Sequence, residues 1–195
     1  NATICVPVDG TPGAPGDPCT VGGNPYSGFD DCQLGAMCWN VDPATNEGTC
    51  VANCGGTEAS PVCEDPTTRC FIAYEGVVHV CLPGCDPLLQ DCPAAATCLG
   101  VDAMFVCVPD NSGPMGAVGD ACDDFNDCDP GLFCADPTAV PDCGGAGCCA
   151  QFCDVGIADP LQCALADDGV QCVPWFEFGT APVGYEATGA CVIPM

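Results

Sequence analysis

Positive charge is almost absent from this chain of 195 residues. Lysine and arginine together number 1, which is Arg69, against 27 aspartates and glutamates, so the formal net charge is -26. A nucleic-acid-binding protein needs Lys or Arg side chains to neutralise phosphates, and an anionic membrane surface attracts a protein through the same side chains. The composition therefore excludes nucleic acid and anionic lipid as partners.

Long apolar stretches and histidine are equally scarce. The sequence contains no apolar run of the length that spans a bilayer as a helix, so we expect no membrane span. The 1 histidine, His79, lies among valines, which favours a strand-face residue over a catalytic base. No lysine is present to support a phosphate-binding loop. We therefore expect a protein that is not an enzyme.

The spacing C-x-x-C is also missing, although 23 residues are cysteine. Its absence disfavours thioredoxin-like redox sites, zinc ribbons, c-type haem attachment and iron–sulfur clusters, and we expect no such cofactor. Cysteine at this density is typical of a disulfide scaffold. Disulfides persist in oxidising compartments, so we expect an exported protein of the extracellular space or the cell surface.

The cysteines follow a repeated pattern. The motif Gly-Asp-x-Cys at Gly16–Cys19 recurs at Gly119–Cys122, and each copy is followed by D-C-x2-G-x2-C, at Asp31–Cys38 and at Asp127–Cys134. A second pattern, C-x3-C-x(6–9)-C-x(5–8)-C, then begins at Cys50, at Cys81 and at Cys149. Duplicated patterns of this kind indicate tandem modules. We therefore predict an N-terminal strand and linker over 1–18, a first half of three small modules over 19–108, a linker over 109–118 and a second half over 119–195.

The odd cysteine total requires that at least one cysteine lacks a partner within the chain. The repeats account for 22 of the 23 cysteines and leave Cys5, which precedes the first module. Cys5 is therefore the candidate for an intermolecular bond. The alternative is that Cys5 bonds inward and another cysteine is unpaired, because connectivity cannot be deduced from sequence.

Two β-hairpins are predicted in the first half. β-Rich runs flank a turn at Glu75-Gly76, and a turn at Asp102-Ala103 has similar symmetry. Counting outward from each turn places two pairs of cysteines directly opposite each other, at separations that a disulfide can span. We therefore predict the disulfides Cys70–Cys81 and Cys98–Cys107.

The N-terminal segment carries β-branched or apolar residues at Thr3, Ile4, Val6 and Val8, and a Pro- and Gly-rich stretch separates it from the first module. It has the character of a strand on a tether, which could add to the sheet edge of a neighbouring subunit. Cys5 would then make this contact covalent. The alternative is an ordinary first strand that packs on its own domain.

Two further stretches suggest ligands. Hard cations prefer clustered oxygen ligands, so Asp123, Asp124, Asp127 and Asp129 form a candidate calcium site, although their spacing does not match an EF-hand loop. A solvated turn would look similar. Trp175 and Tyr185 lie in the most aromatic part of the chain and could form a platform for a glycan. The alternative is that these rings form a small core.

The run from Gly119 through Cys134 to Cys153-Asp154, with the vicinal pair Cys148-Cys149, resembles a class of exported cysteine-rich proteins of Gram-negative, myxobacterial type. That resemblance implies secretion or surface display and no catalytic activity. The stretch from Cys128 to Cys149 is more weakly similar to disulfide-rich domains of the Dickkopf and colipase type. The spacings differ there, and the basic residues that such ligands often carry are missing.

These observations predict a small disulfide-rich fold of β-hairpins and coil, made of tandem modules without a large hydrophobic core. We expect an acidic extracellular structural or assembly protein, a cell-surface or filament subunit that self-associates through its N-terminal strand. The alternative is a secreted adhesion module that binds calcium, a glycan or another cell-surface partner.

Overall fold

The computed structural model describes residues 11–24, 27–57, 60–73, 76–101 and 103–194. Over these residues the chain is a disulfide-rich protein of short antiparallel strands and turns with almost no helix, as the sequence predicts. None of its helices has the length and apolar character that crossing a membrane requires. The strands are β1 Pro18–Thr20, β2 Ala36–Trp39, β3 Glu47–Ala52, β4 Gly55–Thr57, β5 Ser60–Val62, β6 Thr68–Ala73, β7 Val78–Pro83, β8 Ala96–Val101, β9 Met104–Pro109, β10 Ala121–Cys122, β11 Leu132–Ala135, β12 Gly147–Asp154, β13 Gln171–Pro174 and β14 Thr188–Val192.

Groups of four cysteines define one structural module, and the described residues contain five such modules. In every module the first cysteine bonds to the third and the second bonds to the fourth. The pairs are Cys19–Cys38 and Cys32–Cys50 in module 1, Cys54–Cys70 and Cys63–Cys81 in module 2, Cys85–Cys98 and Cys92–Cys107 in module 3, Cys122–Cys134 and Cys128–Cys149 in module 4, and Cys153–Cys172 and Cys163–Cys191 in module 5. Module 4 carries an additional bond, Cys143–Cys148, which joins its hairpin loop to β12.

The third and fourth cysteines of each module lie opposite each other on a β-hairpin. The opposed pairs are Cys38↔Cys50 on β2–β3, Cys70↔Cys81 on β6–β7, Cys98↔Cys107 on β8–β9, Cys134↔Cys149 on β11–β12 and Cys172↔Cys191 on β13–β14. The predicted hairpin registers of modules 2 and 3 are therefore confirmed. The predicted disulfides across those registers are wrong, because Cys70 bonds to Cys54, Cys81 to Cys63, Cys98 to Cys85 and Cys107 to Cys92.

Opposition across the hairpin does not fix the disulfide partners, because more than two sulfur atoms lie on one face of each hairpin. Opposed strand residues point to the same face, and the first two cysteines of the module reach that face from the preceding segment. In module 2 the sulfurs of Cys54, Cys63 and Cys81 lie within 4.8 Å of one another. Proximity across the hairpin therefore does not decide which sulfurs bond.

The segment that carries the first cysteine of a module runs antiparallel to the strand that carries the fourth cysteine. The first cysteine lies opposite the residue two positions before the fourth cysteine. The register places Cys19 opposite Gly48, Cys122 opposite Gly147 and Cys153 opposite Gly189. The bridges Asn53↔Val80 and Gly84↔Val106 give the same offset in modules 2 and 3. Each module is thus three segments wide, with the fourth cysteine in the middle segment.

In modules 1, 4 and 5 the residue two positions before the fourth cysteine is glycine, and close packing requires it. A Cβ on Gly48 would lie 2.6 Å from the Trp39 carbonyl oxygen, and one on Gly147 would lie 2.7 Å from the sulfur of Cys134. A Cβ on Gly189 would lie 2.8 Å from the sulfur of Cys172. The motif Gly-x-Cys at the end of these modules therefore reflects close packing of the middle segment against the first disulfide.

Within each unit, one pair of neighbouring modules is connected by a continuous strand segment. β3 carries the fourth cysteine of module 1, and the segment that continues it bridges to module 2 at Asn53↔Val80. β12 pairs with β10 and β11 of module 4 and then with β14 of module 5. The three residues between Cys50 and Cys54, and the three between Cys149 and Cys153, thus connect one module to the next. The sequence repeat that begins at Cys50 or Cys149 therefore starts one cysteine before the structural module.

The chain forms two compact units, residues 1–83 and 84–195. Modules 1 and 2 belong to the first unit, and modules 3, 4 and 5 to the second. The predicted boundary at 109–118 therefore lies inside the second unit. That segment is fixed to module 4, because the Pro109 carbonyl accepts from Asn126 Nδ2 at 2.8 Å and the Gly116 carbonyl accepts from the Asp129 N–H at 2.9 Å.

Candidate functional site

Disulfide sulfur is a main component of the interior. One buried cluster in module 1 contains Val21 together with Cys19, Cys32, Cys38 and Cys50, and a cluster in module 4 is formed by Cys122, Cys128 and Cys149. Apart from Cys143–Cys148, each bond closes a loop whose ends are 12 to 28 residues apart. A bond across a loop of about 15 residues contributes on the order of 3 kcal/mol in the chain-entropy model.

The cysteines that converge are not available as metal ligands. Each group of three that could hold an ion consists of cysteine alone, and every one of these cysteines is bonded to another. A metal-binding cysteine acts as a thiolate, so the groups found among the described residues are disulfide clusters. Their chemistry is crosslinking.

The four candidate calcium ligands are not brought together. The Asp127 carboxylate accepts from the backbone N–H of Asp123 at 3.1 Å and of Asp124 at 2.8 Å. Within the described part of the chain, no acidic side chain belongs to a group of three ligands with oxygens within 4.8 Å of one another, and this includes Asp129. Asp127 thus stabilises a turn at the start of module 4.

Two neighbouring aspartates of module 1 cap strand edges. The Asp30 carboxylate accepts from the N–H of Cys32 at 3.0 Å and of Cys38 at 3.1 Å. The Asp31 carboxylate accepts from the N–H of Thr20 at 2.8 Å and from its hydroxyl at 2.9 Å. The backbone hydrogen bond from Thr20 lowers the pKa of Asp31 below its ordinary value, and the hydroxyl bond acts in the same direction. These carboxylates replace a neighbouring strand at the edge of the sheet.

A pair of Asp-Pro-Thr turns uses carboxylates in a similar way. Asp65 accepts from the Thr67 hydroxyl at 2.7 Å and N–H at 2.8 Å, and Asp136 accepts from the Thr138 hydroxyl at 2.6 Å and N–H at 2.8 Å. The threonine side-chain bonds are the largest cause of a lowered pKa at both aspartates. Part of the large negative charge therefore has a local structural role.

The aromatic residues of the second unit pack on one another. Phe105 is fully buried, and its ring centroid lies 5.6 Å from that of Trp175 and 5.0 Å from that of Tyr185. Trp175 also contacts Phe133 at 5.0 Å and Phe152 at 5.4 Å. The core interpretation of these rings therefore matches the structure. We name this group, with Phe176, the aromatic cluster.

Backbone contacts fix two members of the aromatic cluster further. The Tyr185 hydroxyl donates to the Cys85 carbonyl at 2.9 Å. A Cβ on Gly100 would lie 2.6 Å from the Trp175 indole, so the missing side chain at position 100 provides space for that ring. Both residues of the candidate glycan platform are thus half-buried in the core of the unit.

His79 lies on β7 and is exposed, as expected for a strand-face residue. It is opposite Ile72 in the hairpin, and its carbonyl accepts from the Cys54 N–H at 3.0 Å. Its backbone therefore holds the first cysteine of module 2 in place.

The first unit contains an open cleft of about 850 Å³. Its lining includes Gly16, Gly35, Gly55 and Gly56, together with Val62, which is 54 % exposed. Cys54 also faces the cleft, and its bond to Cys70 is the disulfide of the described residues in which neither cysteine is buried. The glycines leave part of the backbone accessible, and Glu64 and Asp65 also line the cleft.

Thr3, Ile4, Cys5, Val6 and Val8, the predicted assembly strand and its cysteine, lie outside the described residues. The bonding of the other cysteines nevertheless limits the possible partners of Cys5. The eleven disulfides take up 22 of the 23 cysteines, so no other cysteine of the same chain is left as a partner for Cys5.

The cleft and the offset of the repeat are the features that sequence reasoning missed. The cleft depends on glycines from separate segments, and their convergence has no local signal. The displacement of the repeat by one cysteine did have a sequence signal, because the fourth cysteine of three modules is the cysteine of a Gly-x-Cys motif.

Comparison with protein-family models, with curated proteins and with solved structures finds no match to this chain.

Proposed function

We propose that this chain is a non-catalytic structural protein of the extracellular space or cell surface, whose copies join through the N-terminal segment. The observation that carries the proposal is the complete mutual pairing of 22 cysteines, which leaves Cys5 as the single sulfur able to bond outside its own chain. A leftover cysteine in an exported disulfide protein favours intermolecular pairing.

The described architecture supports a load-bearing or scaffolding role. Each module is closed by two interleaved disulfides, β12 runs through modules 4 and 5, and a bridge at Asn53↔Val80 connects module 1 to module 2. Such crosslinks restrict the unfolded chain, so the protein does not depend on a large apolar core for its stability. Exposed carboxylates keep the copies soluble and oppose nonspecific association.

The number of available sulfurs limits the covalent product. One Cys5 per chain forms a single intermolecular disulfide, so covalent joining stops at two chains. A filament built from these pairs grows through noncovalent contacts between them. At a net charge of -26 such contacts strengthen with added salt, because salt screens the repulsion between copies.

Electrophoresis of the native protein with and without reductant tests the proposal. We expect a band at twice the chain mass without reductant, a single-chain band with reductant, and only the single-chain band for Cys5→Ser. A Ser112→Ala variant is the matched control, since it leaves all cysteines in place. Migration of the unreduced native protein as a single chain would refute covalent pairing.

A further inference from the structure

We propose that the open edge of β4 in the first unit receives residues Thr3–Val8 of a second copy as an added strand. This inference rests on the proposed function, since it identifies the surface at which the N-terminal segment joins two copies. The surface that accepts the N-terminal segment is then β4, which borders the cleft of modules 1 and 2.

Proline at position 61 determines which side of β4 is open. β4 and β5 pair antiparallel with Gly56 opposite Pro61 and Gly55 opposite Val62. Pro61 has no N–H, so the Gly56↔Pro61 pair is of the non-hydrogen-bonded kind. The Gly56 N–H then points away from β5, toward the edge of this two-stranded sheet, where an incoming strand would find a donor.

Three other strand edges of the same unit, those of β1, β2 and β7, have partners. Asp31 accepts from Thr20 at the edge of β1, and Asp30 accepts from Cys38 at the edge of β2. The outer side of β7 is bridged by Asn53. An edge with unpaired backbone groups is a template for strand addition, and in β4 that edge has no carboxylate cap among the described residues.

The cleft beside β4 provides space and an apolar wall. It has a volume of about 850 Å³, and Gly55 and Gly56 leave the backbone accessible. Val62 presents an exposed apolar side chain whose methyl carbon would lie 3.2 Å from a Cβ on Gly56. In strand addition the main chain supplies hydrogen bonds and alternate side chains fill pockets. A segment rich in β-branched residues fits this arrangement.

The length of chain before the described residues allows the exchange. Gly13 is fixed by its N–H bond to the Asp31 carbonyl and by the bond from the Gln33 N–H to its own carbonyl, both 2.8 Å. Gly13 lies eight positions after Cys5, a reach of at most about 28 Å. The other 22 cysteines are bonded to one another, so an unpaired cysteine that could bond to Cys5 comes only with a second copy.

Photo-crosslinking with isotope mixing tests the acceptor surface. Benzoylphenylalanine replaces Val6 in the full chain carrying Cys5→Ser, and ¹⁵N-labelled and unlabelled protein are mixed in equal amounts. We expect crosslinks from position 6 to residues 55–57 and 62, whose yield rises with protein concentration. About half of the crosslinked peptides should join a labelled chain to an unlabelled one.

A matched pair of variants makes the result specific. Val62→Glu adds a carboxylate at the cleft and should reduce the crosslink yield at least fivefold. Val183→Glu, at a position that is 95 % exposed in the second unit, should leave the yield unchanged. Equal yields in the two variants would contradict the assignment to the cleft.

Two other outcomes overturn the inference. Crosslinks that join only chains of the same isotope, at a yield independent of concentration, would show that the segment occupies its own β4. Crosslinks to other residues would place the contact elsewhere. Either result, combined with a Cys5-linked dimer in the native protein, would leave the proposed function standing and remove only the acceptor site.

Discussion

Cys70 and Cys81 lie directly opposite each other in the hairpin of β6 and β7, yet they are not bonded to each other. Cys70 bonds back to Cys54 and Cys81 to Cys63, so two disulfides attach the preceding segment to one face of the hairpin. The same arrangement occurs in all five modules. In each module the two disulfides therefore attach the preceding segment to one face of the hairpin, and the two bonds are interleaved along the sequence.

The Cys54–Cys70 bond is expected to be reduced first. Neither cysteine is buried, whereas Cys32 and Cys50 of the neighbouring module are 5 % and 0 % exposed. Because thiol–disulfide exchange requires access to a sulfur, limited reduction followed by alkylation should label Cys54 and Cys70 before Cys32 and Cys50. Mass spectrometry of the alkylated peptides measures the order. Earlier labelling of Cys32 would contradict the assigned exposure.

Replacing Gly147 by alanine should destabilise module 4. The added Cβ would lie 2.7 Å from the Cys134 sulfur and 2.8 Å from the Ala135 carbonyl oxygen. Forcing an atom into a packed site costs about 1 to 3 kcal/mol, which lowers the thermal midpoint followed by near-ultraviolet circular dichroism. Gly144→Ala is the control in the same module, since a Cβ there meets nothing within 4 Å. Equal midpoints for the two variants would argue against the packing described.

Removing the Trp175 side chain should loosen the second unit. Its ring contacts Phe105, Phe133 and Phe152, and its loss would leave a void in the aromatic cluster. For a half-buried aromatic residue we expect a loss of about 2 to 4 kcal/mol, near the lower end of the range for buried rings. Urea unfolding with intact disulfides measures it.

Phe178→Ala is the matched control for this prediction. Phe178 lies in the same loop and is 106 % exposed, so its removal should change the free energy of unfolding by less than about 0.5 kcal/mol. A similar effect of the two substitutions would contradict a core role for Trp175.

The contribution of Asp31 to stability should depend on pH. Hydrogen bonds from Thr20 lower its pKa in the folded state, so its stabilising effect is fully present above the unfolded value of about 3.9. The effect is lost as pH falls through the lower folded pKa. Asp31→Asn should therefore reduce the thermal midpoint at pH 6 and have little effect at pH 2.

Thr20→Val provides the companion measurement. It removes the hydroxyl bond to Asp31 and keeps the backbone N–H bond, so it should shift the pH dependence by less than Asp31→Asn does. Midpoint differences between Asp31→Asn and the native chain that are the same at pH 2 and pH 6 would refute the linkage.

Sequence reasoning predicted the hairpins because their signal is local. The sequence signal Glu75-Gly76 and the β-rich runs beside it predict the register that places Cys70 opposite Cys81, and the strands have that register. It did not predict the disulfide partners, because several sulfurs meet on one face and their contacts come from segments distant in sequence. The repeat was recognised with its start displaced by one cysteine, since the tight C-x3-C spacing joins modules.

The aromatic cluster shows the same limit. Trp175 and Tyr185 are close in sequence and are candidates for a core on that ground, but the ring that both contact, Phe105, lies in module 3. No local pattern indicates that pairing. For the same reason the sequence placed a boundary at 109–118, where hydrogen bonds instead fasten the segment to Asn126 and Asp129.

The interleaved bonds also determine how the molecule would respond to a pulling force. Within module 1, tension entering at Cys19 passes through sulfur to Cys38, runs back along the backbone to Cys32 and leaves through sulfur to Cys50. The rest of the module carries none of that tension and cannot be drawn out. Because each module has this shortcut, extension under load is confined to short stretches, and a cut in a bypassed loop would leave the chain mechanically continuous.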